Sequence, residues 1–162
     1  MNAALGVMNI RPGAHNDSKV LAELIDSFRP MLTLDPTGAG AEQYLISVSE
    51  SAEREYLSSP RYLYLVAELE GRVVGFIAMR DRTHLFHLFV AAEHQGRGIA
   101  RALWERAQEQ ILRDGGGAVF TVNSSLSAVP VYKRFGFRPA GAEIQAHGIA
   151  FVPMRLELRN DA

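Results

Sequence analysis

An apolar run, Leu85–Val90, leads within four residues into His94-Gln95-Gly96-Arg97-Gly98-Ile99-Ala100-Arg101, and a helix-patterned stretch, Ala102–Leu112, follows at once. No other stretch constrains the fold as strongly. A strand that gives way to a helix through a tight loop is the unit from which α/β sheets are built. The first N–H groups of a helix have no acceptor inside it, and their dipoles leave partial positive charge at that end. An anion fits there. Gly96 and Gly98 lack a Cβ, so a phosphate can approach the backbone, and Arg97 and Arg101 can add charge-assisted bonds. The segment reads as a diphosphate cradle. A dinucleotide fingerprint fits less well, because Arg101 stands where the third glycine of G-x-G-x-x-G belongs. No Gly-Lys-Ser/Thr sequence is present for a P-loop.

The pattern on either side fills out an α/β order. Residues 8–14 suggest a strand ended by Pro12-Gly13. Asp17 or Ser18 can cap a helix carrying Val20, Leu21, Leu24, Ile25 and Phe28 at helical spacing, with Pro30 as its stop. Residues 31–40 read as a loop or broken helix, and 41–59 as one polar-faced helix ended by Pro60. Residues 61–81 read as two strands around a turn at Glu70-Gly71. A strand over 84–90, a helix over 97–113, a glycine break at 115–117, a strand over 118–123, a short helix over 128–135 and a final strand over 148–159 complete the order β-α-α-β-β-β-α-β-α-β. One domain over 1–162, with a mixed central sheet flanked by helices, is the expectation.

Composition narrows the function. Forty-eight per cent apolar and 22% charged residues are ordinary for a water-soluble globular chain. The absence of cysteine excludes disulfides, thiolate metal ligands and a cysteine nucleophile. A net charge of −1 argues against general nucleic-acid binding. No apolar run is long enough to cross a bilayer, and Met1–Ile10 lacks the pattern of a secretory signal, so a cytoplasmic protein is expected. The charge is uneven: residues 16–59 hold eight acids against three bases. That split fits an anionic ligand on the C-terminal part and a cationic one near the N-terminal part.

Gln95-Gly96-Arg97-Gly98-Ile99-Ala100 resembles the acetyl-CoA signature Q/R-x-x-G-x-G/A of the GNAT N-acetyltransferase superfamily. Around it, Leu88-Phe89-Val90 is similar to the family's splayed fourth strand. Ala128-Val129-Pro130-Val131-Tyr132-Lys133-Arg134-Phe135-Gly136-Phe137 resembles its A-x-x-x-Y-x-x-x-G-F segment, and Pro153-Met154-Arg155-Leu156 resembles its closing strand. The resemblance covers roughly residues 8–158, is densest over 84–137 and weakest over 30–60. It implies a sheet splayed between the fourth and fifth strands. Acetyl-CoA would bind as cosubstrate, with its diphosphate on 95–101 and its pantetheine arm along 88–90, near Asn123 and Ser125. Many members carry a second asparagine where Ser125 stands here. In the resemblance Tyr132 falls on the family's catalytic tyrosine, and the acceptor is a small-molecule or peptide amine.

Acetyl transfer to an amine needs a proton acceptor. An alkyl amine is mostly protonated at pH 7, which opposes the reactive form by about 4–5 kcal/mol. His84 and His87 are the candidates. Strand alternation puts residues three apart on opposite faces and about 10 Å apart at about 3.3 Å per residue, which makes them a poor metal pair; no metal is expected. The same alternation lets only one face the cleft. Regular pleating and the resemblance favour His84, a bulge would reverse the parity and favour His87, and a carboxylate or ordered water acting in place of either stays open. Trp104 is expected in the core; Tyr44, Tyr56 and the acids around Glu50–Glu55 are expected on a solvated helix face, with a place on the acceptor side as the alternative. A non-catalytic acyl-CoA sensor on the same fold, or a nucleotide-binding regulator, remains as an alternative function, and a homodimer through the last strands is compatible with the pattern.

Overall fold

The computed structural model describes residues 7–158. Along the chain come β1 (Met8–Pro12), α1 (Ser18–Asp26), α2 (Arg29–Leu32), α3 (Glu42–Ser47), α4 (Glu50–Ser58), β2 (Tyr62–Leu69), β3 (Arg72–Arg80) and β4 (His84–Val90). Then follow α5 (Ile99–Arg113), β5 (Val119–Ser125), α6 (Val129–Arg134), β6 (Arg138–Pro139), β7 (Ile144–Ala146) and β8 (Ile149–Glu157). One sheet runs β1-β2-β3-β4-β5-β8-β6, with β7 also paired to β8. All its pairings are antiparallel except β4 with β5. This is the mixed α/β sheet expected from the sequence.

Two apolar layers sandwich that sheet. The helix expected over 97–113 begins at Ile99, and it buries Ile99, Leu103, Trp104, Ala107 and Ile111 along one stripe, the spacing of an amphipathic helix. Trp104 packs edge-on against Phe120, with ring centres 5.1 Å apart, and lies 5.5 Å from Phe137. On the other face Leu21 and Ile25 of α1 meet Val66, Phe76 and Ala78 of the sheet.

Several expected boundaries move. Pro30 does not stop the first helix; α1 ends at Asp26, and Pro30 sits in the first turn of α2, where its missing N–H costs nothing. The single helix expected over 41–59 is two helices. Ser49 separates them, taking extended backbone and accepting the Ala52 N–H on its hydroxyl as the N-cap of α4. The strand expected over 118–123 runs on to Ser125. The last strand spans Ile149–Glu157, and Arg159 lies outside the described residues.

Candidate active site

The β4–β5 contact is brief. Only His84 with Thr121 and Leu85 with Val122 are paired; beyond Val122, β5 continues with β8 as its sole ladder partner. The sheet therefore parts, as the resemblance implied, and the backbone groups of Phe86–Val90 that point towards β5 lack ladder partners. Strand β4 is also irregular on its other edge. Ala78 faces His87 while Met79 faces Leu85, so Phe86 is an inserted residue. This bulge overturns the expectation that only one histidine can face the cleft. Leu85, Leu88 and Val90 pack towards α5, Phe86 and Phe89 pack towards α1 and α4, and both His84 and His87 line the same opening.

That opening is a cleft of about 270 Å³. Its walls gather His84, His87, Leu88, Phe89, Asn123, Ser125 and Tyr132, candidate site residues far apart in sequence. Leu32, Tyr44 and Val48 close it from α2, the α3 helix and the residue after it, and Ile149–Phe151 close it from β8. Tyr132 is 6% exposed, its ring set edge-on to Phe135 and Phe137. Burial pushes its phenol above the ordinary range, so it carries its proton at neutral pH. His84 hydrogen-bonds through Nδ1 to Thr121 Oγ1 at 2.8 Å. Burial, helped by the charge of Arg80, pulls its imidazolium down to about pKa 4.

The mouth of α5 lies beyond the C-terminal end of β4. Gly96 and Gly98 have φ of 78° and 81°, a left-handed conformation that favours glycine, and a Cβ on either would meet open space. Ala102 is the first residue of the helix to bond back, to Gly98 O at 3.0 Å, which leaves the N–H groups before it for a ligand. The Gln95 side-chain amide donates to Val90 O at 3.0 Å, tying the loop to the end of β4. Ile99 is buried in the core and Val90 likewise, so only their backbone can serve a ligand. Arg97 is exposed. Arg101 lies over the Phe135 ring, 5.2 Å from its centre.

Sequence reasoning missed the burial of Glu53 and its contact with His87. Glu53 was expected on a solvated face and is instead 0% exposed. Its carboxylate accepts the Tyr64 hydroxyl at 2.7 Å on Oε1 and lies 3.1 Å from His87 Nε2 through Oε2. Burial, then the charge of Glu53, holds the Tyr64 phenol well above its ordinary range, and the same two causes push Tyr44 up to about 12. The available signal was position: Glu53 stands four residues after the Ser49 cap and four before Leu57, on the inward stripe of α4. Among the described residues, no group of three or more His, Cys, Asp or Glu side chains is placed to hold a metal ion, and no helix is long and apolar enough to cross a membrane.

A family model described as an acetyltransferase (GNAT) domain matches residues 32–158. Human N-acetyltransferase 8 is 37% identical over 100 residues, covering 54% of this chain and 44% of that protein. Rat N-acetylaspartate synthetase is 35% identical over 97 residues, covering 56% and 32%. The match thus spans less than half the length of these curated relatives. Among solved structures, the PaiA N-acetyltransferase of Thermoplasma acidophilum, in complex with coenzyme A, aligns with a TM-score of 0.74 at 17% identity over 94% of this chain and 99% of that one. An acetyltransferase of Salmonella typhimurium, solved with acetyl-CoA, gives 0.69 at 19% identity over 97% of each chain. At such identities the likeness is one of fold.

Proposed function

Because the chain belongs to the GNAT family of acetyltransferases, we propose that it moves the acetyl group of acetyl-CoA to a primary amine by direct attack on the thioester. One observation carries this reading: the gap between β4 and β5 opens beside the mouth of α5, so a strand-like arm and an anionic head can be held together. The residues present suit that ligand. The N–H groups of 97–101, with open space over Gly96 and Gly98, suit a diphosphate, and Arg97 and Arg101 supply countercharge. The unpaired edge of Leu88–Val90 can hydrogen-bond the amides of a pantetheine arm as an added strand would, with Asn123 and Ser125 opposite.

The chemistry follows from the same elements. A free N–H on β4 can stabilise the oxyanion that forms when the amine adds to the thioester carbonyl. Tyr132, protonated at neutral pH, can give its proton to the departing thiolate. A histidine of β4 can accept the amine's proton. The cleft holds no cysteine to carry the acetyl group, which favours direct attack over a covalent relay. The acidic balance of residues 16–59 suits a cationic acceptor, the protonated form of most alkyl amines.

The test is release of free CoA thiol from acetyl-CoA in the presence of small-molecule, polyamine and peptide amines, with isothermal titration of CoA alongside. Release with at least one amine is expected. In Tyr132→Phe, turnover should fall by about 10²-fold or more while CoA affinity stays the same. CoA binding without turnover across the panel would instead identify an acyl-CoA sensor, and no CoA binding at all would overturn the reading.

A further inference from the structure

Resting on the acetyl-transfer reading, we infer that Glu53 is a positioning residue that makes His87, rather than His84, the proton acceptor for the incoming amine. Glu53 occupies a core position of α4 with no exposure. A buried carboxylate is costly unless its oxygens are satisfied, and apolar side chains of similar volume are often at least as stabilising there. What the carboxylate does is engage a cleft residue. An ionised carboxylate can only accept hydrogen bonds. Tyr64 donates to one oxygen at 2.7 Å, and His87 Nε2, 3.1 Å from the other, has to carry the ring proton. Nδ1 is then the basic nitrogen of a residue that lines the cleft.

The imidazole is also held in place. Its ring centre lies 4.1 Å from that of Phe86 and 5.8 Å from those of Phe76 and Phe89. A ring so clamped, with a carboxylate oxygen behind its N–H, has its tautomer and orientation fixed. His84 has neither advantage. Its partner is a hydroxyl, and its charged neighbour is the cation of Arg80, which opposes a second positive charge. The Phe86 bulge matters here, because regular pleating would have turned His87 to the opposite face of the sheet from His84.

The step balances as follows. His87 Nδ1 takes one proton from the substrate ammonium. The freed nitrogen lone pair forms the C–N bond, and the C–S bond breaks with its electron pair left on sulfur. That thiolate takes the Tyr132 phenol proton. The phenolate recovers the second nitrogen proton through solvent, and His87 returns its proton to water. An ammonium and acetyl-CoA give an amide, free CoA and one proton.

Two measurements test this separately from the acetyl-transfer reading. Nitrogen-15 NMR of histidine-labelled protein, which needs no acceptor, should show His87 protonated on Nε2 in the wild type and losing that preference in Glu53→Gln, whose amide can donate. With an acceptor found in the amine panel, Glu53→Gln should lose about 10²-fold in kcat, with KM for both substrates within about threefold of wild type. Glu53→Asp should recover part of that loss. His87→Ala should be rescued in part by added imidazole, and adding Glu53→Gln to His87→Ala should cost nothing further. A folded Glu53→Gln with wild-type kcat overturns the inference. So does active wild-type protein whose His87 is protonated on Nδ1. Should Glu53→Gln fail to fold, the wild-type tautomer and the imidazole rescue decide alone. A wild type with the expected tautomer but no turnover on any amine removes the acetyl-transfer reading, and this role with it.

Discussion

At the scale of single residues, the polar groups with the closest partners set the responses to pH. The Asp17 carboxylate accepts two bonds from the Arg11 guanidinium, at 2.8 and 2.9 Å, and the Ala14 N–H at 2.8 Å. Arg11 also pairs with Glu68 across the β1–β2 edge. The hydrogen bonds from Arg11, more than any other cause, hold Asp17 below the ordinary carboxylate range. A depressed folded value means that the stabilisation is complete above the unfolded pKa and is lost as pH falls through the folded one. Asp17→Asn should therefore cost about 1–3 kcal/mol at pH 7. The cost should shrink progressively below about pH 4, which urea melts at pH 7 and pH 3 would reveal. An equal cost at both would break the link to ionisation. His84 gives a second check. Its ring should titrate near pH 4 rather than at the ordinary 6.5, followed by the ring proton shifts in an NMR titration.

Elements respond through their ends. Ser49→Ala removes the cap that starts α4 and should cost about 1 kcal/mol, read as a lower midpoint in urea with an unchanged slope. Gly98→Ala forces a side chain into a left-handed N-cap at the head of α5. It should cost stability by about 1 kcal/mol and weaken CoA binding severalfold, measured by calorimetry; tighter binding would refute the cradle. Much of this layer was legible in the sequence. The α5 loop, its helix, the β2–β3 hairpin and the short α6 follow from glycine placement and apolar period, and they put the mouth of α5 and Tyr132 where they are. What escaped depends on partners the sequence does not display. The Phe86 bulge reflects how β3 and β4 register, which alternation alone cannot forecast. The break at Ser49 looked like a polar position within one long helix. Glu53 was hidden among Glu50 and Glu55 because one acid on an inward stripe resembles its outward neighbours until the packing is known. Strands β6 and β7, two and three residues long, leave no period to detect.

Over the whole molecule, the sheet keeps two cores apart and carries the cleft at its one parting. Trp104 on α5, the helix that packs on β2, β3 and β4, reaches Phe120 of β5 and Phe137 after α6 on the other side of that parting. Trp104→Ala should cost about 3–5 kcal/mol, seen as an early unfolding midpoint, whereas a surface change such as Glu109→Ala should stay within about 0.5 kcal/mol. A last feature ties the loop before α3 to the β7–β8 turn beside the cleft. Strands β7 and β8 meet through a two-residue turn at His147-Gly148, where both residues have positive φ, and Gly148 O accepts the Leu34 N–H at 2.8 Å. A Cβ on Gly148 would come within 2.4 Å of Gly40 O. The loop before α3 and the β7–β8 turn are therefore halves of one seam. Grafting a relative's loop over residues 33–41 without its matching hairpin would leave that seam unclosed, so the two segments, which adjoin the cleft at Leu32 and Ile149, must be exchanged as a pair.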